Sequence, residues 1–151
     1  MDEKEEYSIK FTSGWTEELL KNMSKECETR NNPEAIKDCA NYHYRSLDMD
    51  KILDRYVGDL EGFLKFLTET WGWIVECDLL KQEIIANENK EFCVCPVKDN
   101  YKEGQLSSLL CNCSEGFAER MFSKVTGKKV RAKVINSILQ GDKNCIYRIM
   151  L

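Results

Sequence analysis

The chain has 151 residues, 42% of them hydrophobic and 32% charged, a balance that excludes a disordered polymer and gives length enough for a buried core. Its formal net charge of −4 argues against a broad phosphate-binding surface, so nucleic acid is not an expected partner. The start, Met1-Asp2-Glu3-Lys4-Glu5-Glu6, is acidic with no apolar run behind it, and no window nears the ~20 apolar residues of a bilayer span. Neither a secretory leader nor a membrane partner is expected, and the expected location is cytoplasmic. With 2 Pro and 8 Gly and no internal repeat, no stretch reads as a linker. A single domain over 1–151 is expected, helical over about 15–71 and sheet-containing over about 73–151.

In chain order, Trp15, Leu19, Leu20 and Met23 form one stripe and predict a short helix over 15–27. Asn31-Asn32-Pro33 breaks it, and Pro33 suits the first position of a second helix, about 33–47, with Ile36, Ala40, His43 and Leu47 on one side. Helical spacing continues over 50–71 through Ile52, Leu53, Tyr56, Val57, Leu60, Phe63, Leu64 and Leu67, with a bend expected at Gly58 or Gly62. The period then changes to two. Trp73, Val75, Cys77 and Leu79 alternate with Ile74, Glu76 and Asp78 as a strand. Glu83 to Ala86 and Glu91 to Cys95 read as two more strands joined by the turn Asn87-Glu88-Asn89-Lys90. A polar loop over 96–106 precedes a helix marked by Phe117, Ala118, Met121, Phe122 and Val125, with Ser114 as expected N-cap and Gly127 as expected stop. Alternation resumes from Val130 to Leu139, turns at Gln140-Gly141-Asp142-Lys143, and ends through Cys145, Tyr147, Ile149 and Leu151. In the basic run Lys128, Lys129, Arg131 and Lys133, the last two alternate with Val130, Ala132 and Val134 as the wet face of a strand. Helices first, then a mostly antiparallel sheet with one inserted helix near 114–126, define an α+β fold.

Eight cysteines stand at 27, 39, 77, 93, 95, 111, 113 and 145. Cys27, Cys39 and Cys77 fall in helix or strand patterns and are expected as packing residues. The other feature is a doubled Cys-x-Cys, Cys93-Val94-Cys95 and Cys111-Asn112-Cys113. In an extended segment, residues i and i+2 face the same way. If both segments are extended and approach, Cys93, Cys95, Cys111 and Cys113 offer the four sulfurs of a structural zinc, with Zn–S of about 2.3 Å. Zinc is therefore a candidate cofactor. The same residues equally suit buried free thiols, and cross-strand disulfides or a redox role stay open.

Cys113-Ser114-Glu115-Gly116-Phe117 opens a helix, Gly127-Lys128-Lys129-Val130 leaves it, and Ser137-Ile138-Leu139-Gln140-Gly141-Asp142 leads into Cys145 and an alternating strand. This arrangement resembles the end of the 4-vinyl-reductase domain family, and of its aminothiazoline-carboxylate hydrolase-like relatives, over about residues 110–151. The resemblance implies a pocket between helices and sheet for small, largely apolar or heterocyclic molecules, and related domains pair, so a homodimer is an expected partner state. Some sensors of that family carry a zinc whose ligands fall, by position, near Cys111, Val134, Ser137 and Cys145; two of those four are not ligand types here.

For such a pocket the candidates are Trp71 and Trp73, around Gly72, with Phe117 and Met121 on the helix; packing alone would explain the same stripe. The lone histidine, His43, sits on an apolar helix side and reads as a hydrogen-bonded structural residue. No Ser-His-Asp set, zincin motif, phosphate loop or dinucleotide fingerprint is present. The expected function is a small-molecule-binding or sensory domain. Hydrolysis of a small heterocycle and a thiol redox switch are the alternatives, and whether the chain is an enzyme stays open at this level.

Overall fold

A computed structural model describes residues 2–30, 33–100 and 110–151, without the side chains of Ser24, Cys27–Arg30, Asp99 and Asn100. Among these residues the fold is α+β, with five α-helices and a four-stranded antiparallel sheet. The helices are α1 (Glu3–Arg30), α2 (Glu34–Ser46), α3 (Met49–Leu53), α4 (Leu60–Trp71) and α5 (Cys111–Thr126). The strands are β1 (Ile74–Asp78), β2 (Glu83–Asn87), β3 (Arg131–Asn136) and β4 (Ile146–Met150), in the order β1-β2-β4-β3.

Helix α1 starts at Glu3, well before the expected residue 15. The reason is local. Asp2 and Glu5 form a reciprocal capping box: Glu5 N–H donates to Asp2 Oδ1 at 2.8 Å and Asp2 N–H to Glu5 Oε2 at 3.2 Å. Glu3, Glu5 and Glu6 then complement the positive helix end. Its side chains Tyr7, Phe11, Trp15 and Leu19 remain exposed. The break expected near Gly58 or Gly62 falls at Gly58, whose φ is +79°. Gly62 lies inside the first turn of α4, where its N–H donates to the cap Asp59 at 2.9 Å.

The sheet sets its inner face in two cross-strand rows. Cys77, Ile84, Ile149 and Ala132 form one; Val75, Ala86, Tyr147 and Val134 form the other. Helices α4 and α5 cover this face, burying Phe63, Leu67, Met121, Phe122 and Val125 against it, with Phe63 and Phe122 edge-on at 5.2 Å. Burial of each such side chain is worth about 1.5–3 kcal/mol. Helix α2 packs on the far side of α5 through Ile36, Ala40 and Tyr44. The two helices approach so closely at Gly116 that a Cβ there would collide with the backbone of Lys37.

The seam between α5 and β3 is polar and saturated. β3 is an edge strand, and the N–H groups of its free side would otherwise lack partners. Glu115 Oε1 accepts from Val134 N at 2.9 Å and Glu119 Oε1 from Ala132 N at 3.1 Å, four residues apart on one helix face. Glu115 Oε2 accepts from Asn112 at 2.9 Å, and Lys37 binds Glu119 at 2.8 Å. Arg131 and Lys133 take the solvent face, as the alternation predicts.

Four expectations are corrected. Residues 91–95 are not a strand, because β2 already pairs β1 on one side and β4 on the other. Ser114 is not the N-cap: α5 begins at Cys111, so Ser114 lies in its first turn. Cys77 is exposed on the edge strand β1, and Cys39 is exposed on α2 with its thiol near the Ala35 carbonyl at 3.5 Å. Neither is a packing residue. The side chain of Cys27 and most of the 96–106 loop lie outside the described residues.

Candidate functional site

Just beyond the strand ends, the pleat continues into a third row. Trp73 precedes β1, Glu88 follows β2, Cys145 precedes β4 and Ser137 follows β3. Glu88 N–H still donates to the Cys145 carbonyl, at 3.0 Å, so the β2–β4 ladder reaches one step past the strands. Here the sheet and helices α2 and α5 enclose a cavity of about 500 Å³. That volume lies in the ordinary range for small-molecule pockets.

One wall is aromatic. Gly72 ends α4 in the left-handed conformation, φ +73°, and Trp73 N–H closes the cap on the Leu67 carbonyl at 3.0 Å. That reversal sets Trp71 and Trp73 side by side on the cavity, 5.7 Å apart, with Trp73 stacked on Tyr147 at 6.2 Å. The cavity is also lined by Phe117, Ala118 and Met121 of α5, by His43 of α2 and by Leu47, which caps α2. All four pocket residues expected from sequence, Trp71, Trp73, Phe117 and Met121, therefore line one space. His43 corrects its expectation. Its ring rests on Phe117 at 4.9 Å, burial lowers its pKa, and among the described residues its ring nitrogens make no hydrogen bond.

A second wall carries thiols. Cys93, Cys95, Cys111, Cys113 and Cys145 all line the cavity, so the two Cys-x-Cys segments do meet. They meet differently from the extended geometry. Cys111 and Cys113 lie on a helix, where residues two apart point about 200° away from each other. Among the described residues no three His, Cys, Asp or Glu side chains converge closely enough to hold a metal ion. Burial pushes the Cys111 and Cys113 thiols up to about 11, helped by their neighbouring thiols, and raises Cys145 as well. These groups are protonated at neutral pH, which opposes their use as nucleophiles or ready redox centres.

The positions singled out by the resemblance also come together. The Cys111 thiol lies 3.0 Å from the Ser137 hydroxyl, Ser137 also hydrogen-bonds Cys145, and Val134 lines the same cavity. The Ser-Ile-Leu-Gln-Gly-Asp segment has a structural explanation. Asp142 Oδ2 accepts from Ser137 N at 2.8 Å, the Ser137 carbonyl accepts from Gln140 N and Asp142 N, and Gly141 supplies φ +94°.

The polar corner was missed in the sequence. Glu88 is 7% exposed, and its Oε1 accepts from the Tyr147 hydroxyl at 2.8 Å. Burial raises the pKa of both groups, that of Tyr147 well above the ordinary value. Lys90 also reaches the cavity, its ammonium donating to the Trp71 carbonyl at 3.2 Å. The available signal was the alternation Ile84, Ala86, Glu88, hidden because Asn87-Glu88-Asn89-Lys90 reads as a turn.

Fold and site together define an α+β domain with a helix-covered antiparallel sheet and an aromatic- and thiol-walled cavity at the sheet's end. The chain belongs to a family of unknown function, DUF6144, whose model matches residues 13–151. No curated protein matches the sequence. Among solved structures, trafficking protein particle complex subunit 3 from Naegleria fowleri, covalently bound to palmitic acid, is similar with a TM-score of 0.49 and 13% identity, over 94% of this chain and 96% of that one. A likeness of that degree says nothing about what this chain binds. Among the described residues no helix is long and apolar enough to cross a membrane.

Proposed function

We propose that this chain is a small-molecule-binding domain whose cavity takes a compact, largely apolar ligand. The observation that carries the reading is the cavity itself: about 500 Å³, walled by Trp71, Trp73, Phe117 and Met121, with only a few polar groups at one corner. The resemblance to the 4-vinyl-reductase domain supports it, since that family places its pocket between the same kinds of element. Binding fits better than catalysis, because burial keeps the Cys111 and Cys113 thiols protonated and the His43 ring has no hydrogen-bonded partner to activate among the described residues. Thiols kept free in a reducing, cytoplasmic setting suit the reading. Output as a sensor runs through a partner protein or through pairing of two copies. Thermal unfolding in the presence of aromatic and heterocyclic compounds tests it: a ligand raises the midpoint with the logarithm of its excess over Kd. No shift from any compound removes the reading.

The second reading is a structural zinc held by Cys93, Cys95, Cys111 and Cys113, favoured by their sharing one cavity wall. As placed, the donors do not converge, so the metal would have to draw Cys111 and Cys113 together. Elemental analysis of anaerobically purified protein tests it. One zinc per chain, lost in Cys113→Ser, supports the site, and eight titratable thiols without metal remove it.

A further inference from the structure

The polar corner of the cavity is unfinished. Of the two buried acids beside α5 and the sheet, Glu115 uses both carboxyl oxygens, on Val134 N and on Asn112. Glu88 uses one. Its Oε1 is held by Tyr147, and among the described residues its Oε2 has no hydrogen-bond partner and the group forms no ion pair. Lys90, two residues on, lies close enough for its charge to act on Glu88 but forms no ion pair with it, its ammonium donating to the Trp71 carbonyl at 3.2 Å. Leaving a buried acceptor unmatched costs about 1–3 kcal/mol, and more when the group is charged. Holding the Tyr147 hydroxyl needs only one acceptor, so the second carboxyl oxygen is surplus to the packing.

The surroundings specify what would complete it. A carboxyl at the floor of an apolar cavity offers negative charge and an acceptor, while the faces of Trp71 and Trp73 favour a nearby cation. An anionic ligand would bring like charge against Glu88. We propose that the cavity selects amines: a primary or secondary ammonium seated on the free Glu88 oxygen, with an apolar, preferably aromatic, body between Trp73 and Phe117. This rests on the cavity-binding reading and names the chemical class of its ligand. Charge-assisted hydrogen bonds are about twice as strong as neutral ones, so the head group should dominate discrimination between ligands of one shape.

The test is calorimetric titration of the full chain with three matched probes, 2-phenylethylamine, 2-phenylethanol and 3-phenylpropionate, repeated on Glu88→Gln. That substitution keeps a partner for the Tyr147 hydroxyl and removes the charge. The amine is expected to bind the native chain about tenfold or more tighter than the alcohol, a gap of about 1.4 kcal/mol, with the carboxylate weakest. In Glu88→Gln the amine's advantage over the alcohol is expected to vanish. Equal binding of amine and alcohol, or tightest binding of the carboxylate, overturns the amine proposal and leaves the cavity reading standing. Absence of binding by all three, together with a thermal screen in which no compound shifts the midpoint, overturns both. Should Glu88→Gln fail to fold, the comparison among probes on the native chain decides by itself.

Discussion

Helix α5 has two polar neighbourhoods, and they treat buried groups in opposite ways. On the β3 side, Glu115 and Glu119 bind two backbone N–H groups, an amide and the Lys37 ammonium, and the second Glu119 oxygen faces Arg131 at 3.8 Å. On the cavity side, thiols stand desolvated around open space, and among the described residues Glu88 keeps an unmatched oxygen. A saturated network fixes a structure; an unsaturated one inside a cavity is what the proposed ligand would complete. The difference separates the part of this molecule that holds the fold from the part proposed to bind.

Substitutions sort along that division. The largest stability effect is expected at the seam. Glu115→Ala strands the Val134 N–H and an amide and weakens the hold on Lys37, costing about 3 kcal/mol in denaturant unfolding. A loss under about 0.5 kcal/mol would show that the seam is not the fold's clamp. The next effect is pH-dependent and belongs to the cavity. Because burial lifts Cys111 and Cys113 from an ordinary 9.0 to about 11, the folded chain holds more protons than the unfolded chain across that interval. Their stabilising contribution is therefore full below pH 9 and declines as pH rises towards 11. Alkylation of these two thiols should keep accelerating through pH 9–10, and a plateau below pH 9 would contradict their desolvation. The smallest effect is expected at Cys77→Ser and Cys39→Ser, both exposed, where stability should move by no more than about 0.5 kcal/mol.

The sequence makes the seam and the cavity legible to different degrees. The core stripe of α5 and the ending Cys145, Tyr147, Ile149, Leu151 stand out because a single period runs through each without interruption. The pocket aromatics were legible because Gly72 between two tryptophans marks a reversal. Element starts were less so. Helix α1 begins at a capping box of Asp2 and Glu5, which apolar periodicity does not register, and α5 begins three residues before the hydroxyl that looks like its cap. That small offset changes the chemistry, since it turns Cys111 and Cys113 from neighbours on a strand face into divergent positions on a helical turn. Residues 91–95 alternate like a strand, yet β2 has no free edge to offer them, a fact set by β4 some fifty residues later. Glu88 was hidden for a related reason: a turn-like composition masked the pleat that carries it inward.

The most direct measurement of the central claim is the thermal midpoint of the native chain and of Ala118→Leu, each with and without an aromatic compound. Ala118 is buried on the cavity wall, so leucine there removes binding space at a site distant in sequence from Glu88 and the tryptophans. The account predicts a concentration-dependent rise for the native chain and none for the folded variant. An equal rise in both, or no rise from any compound, would contradict it.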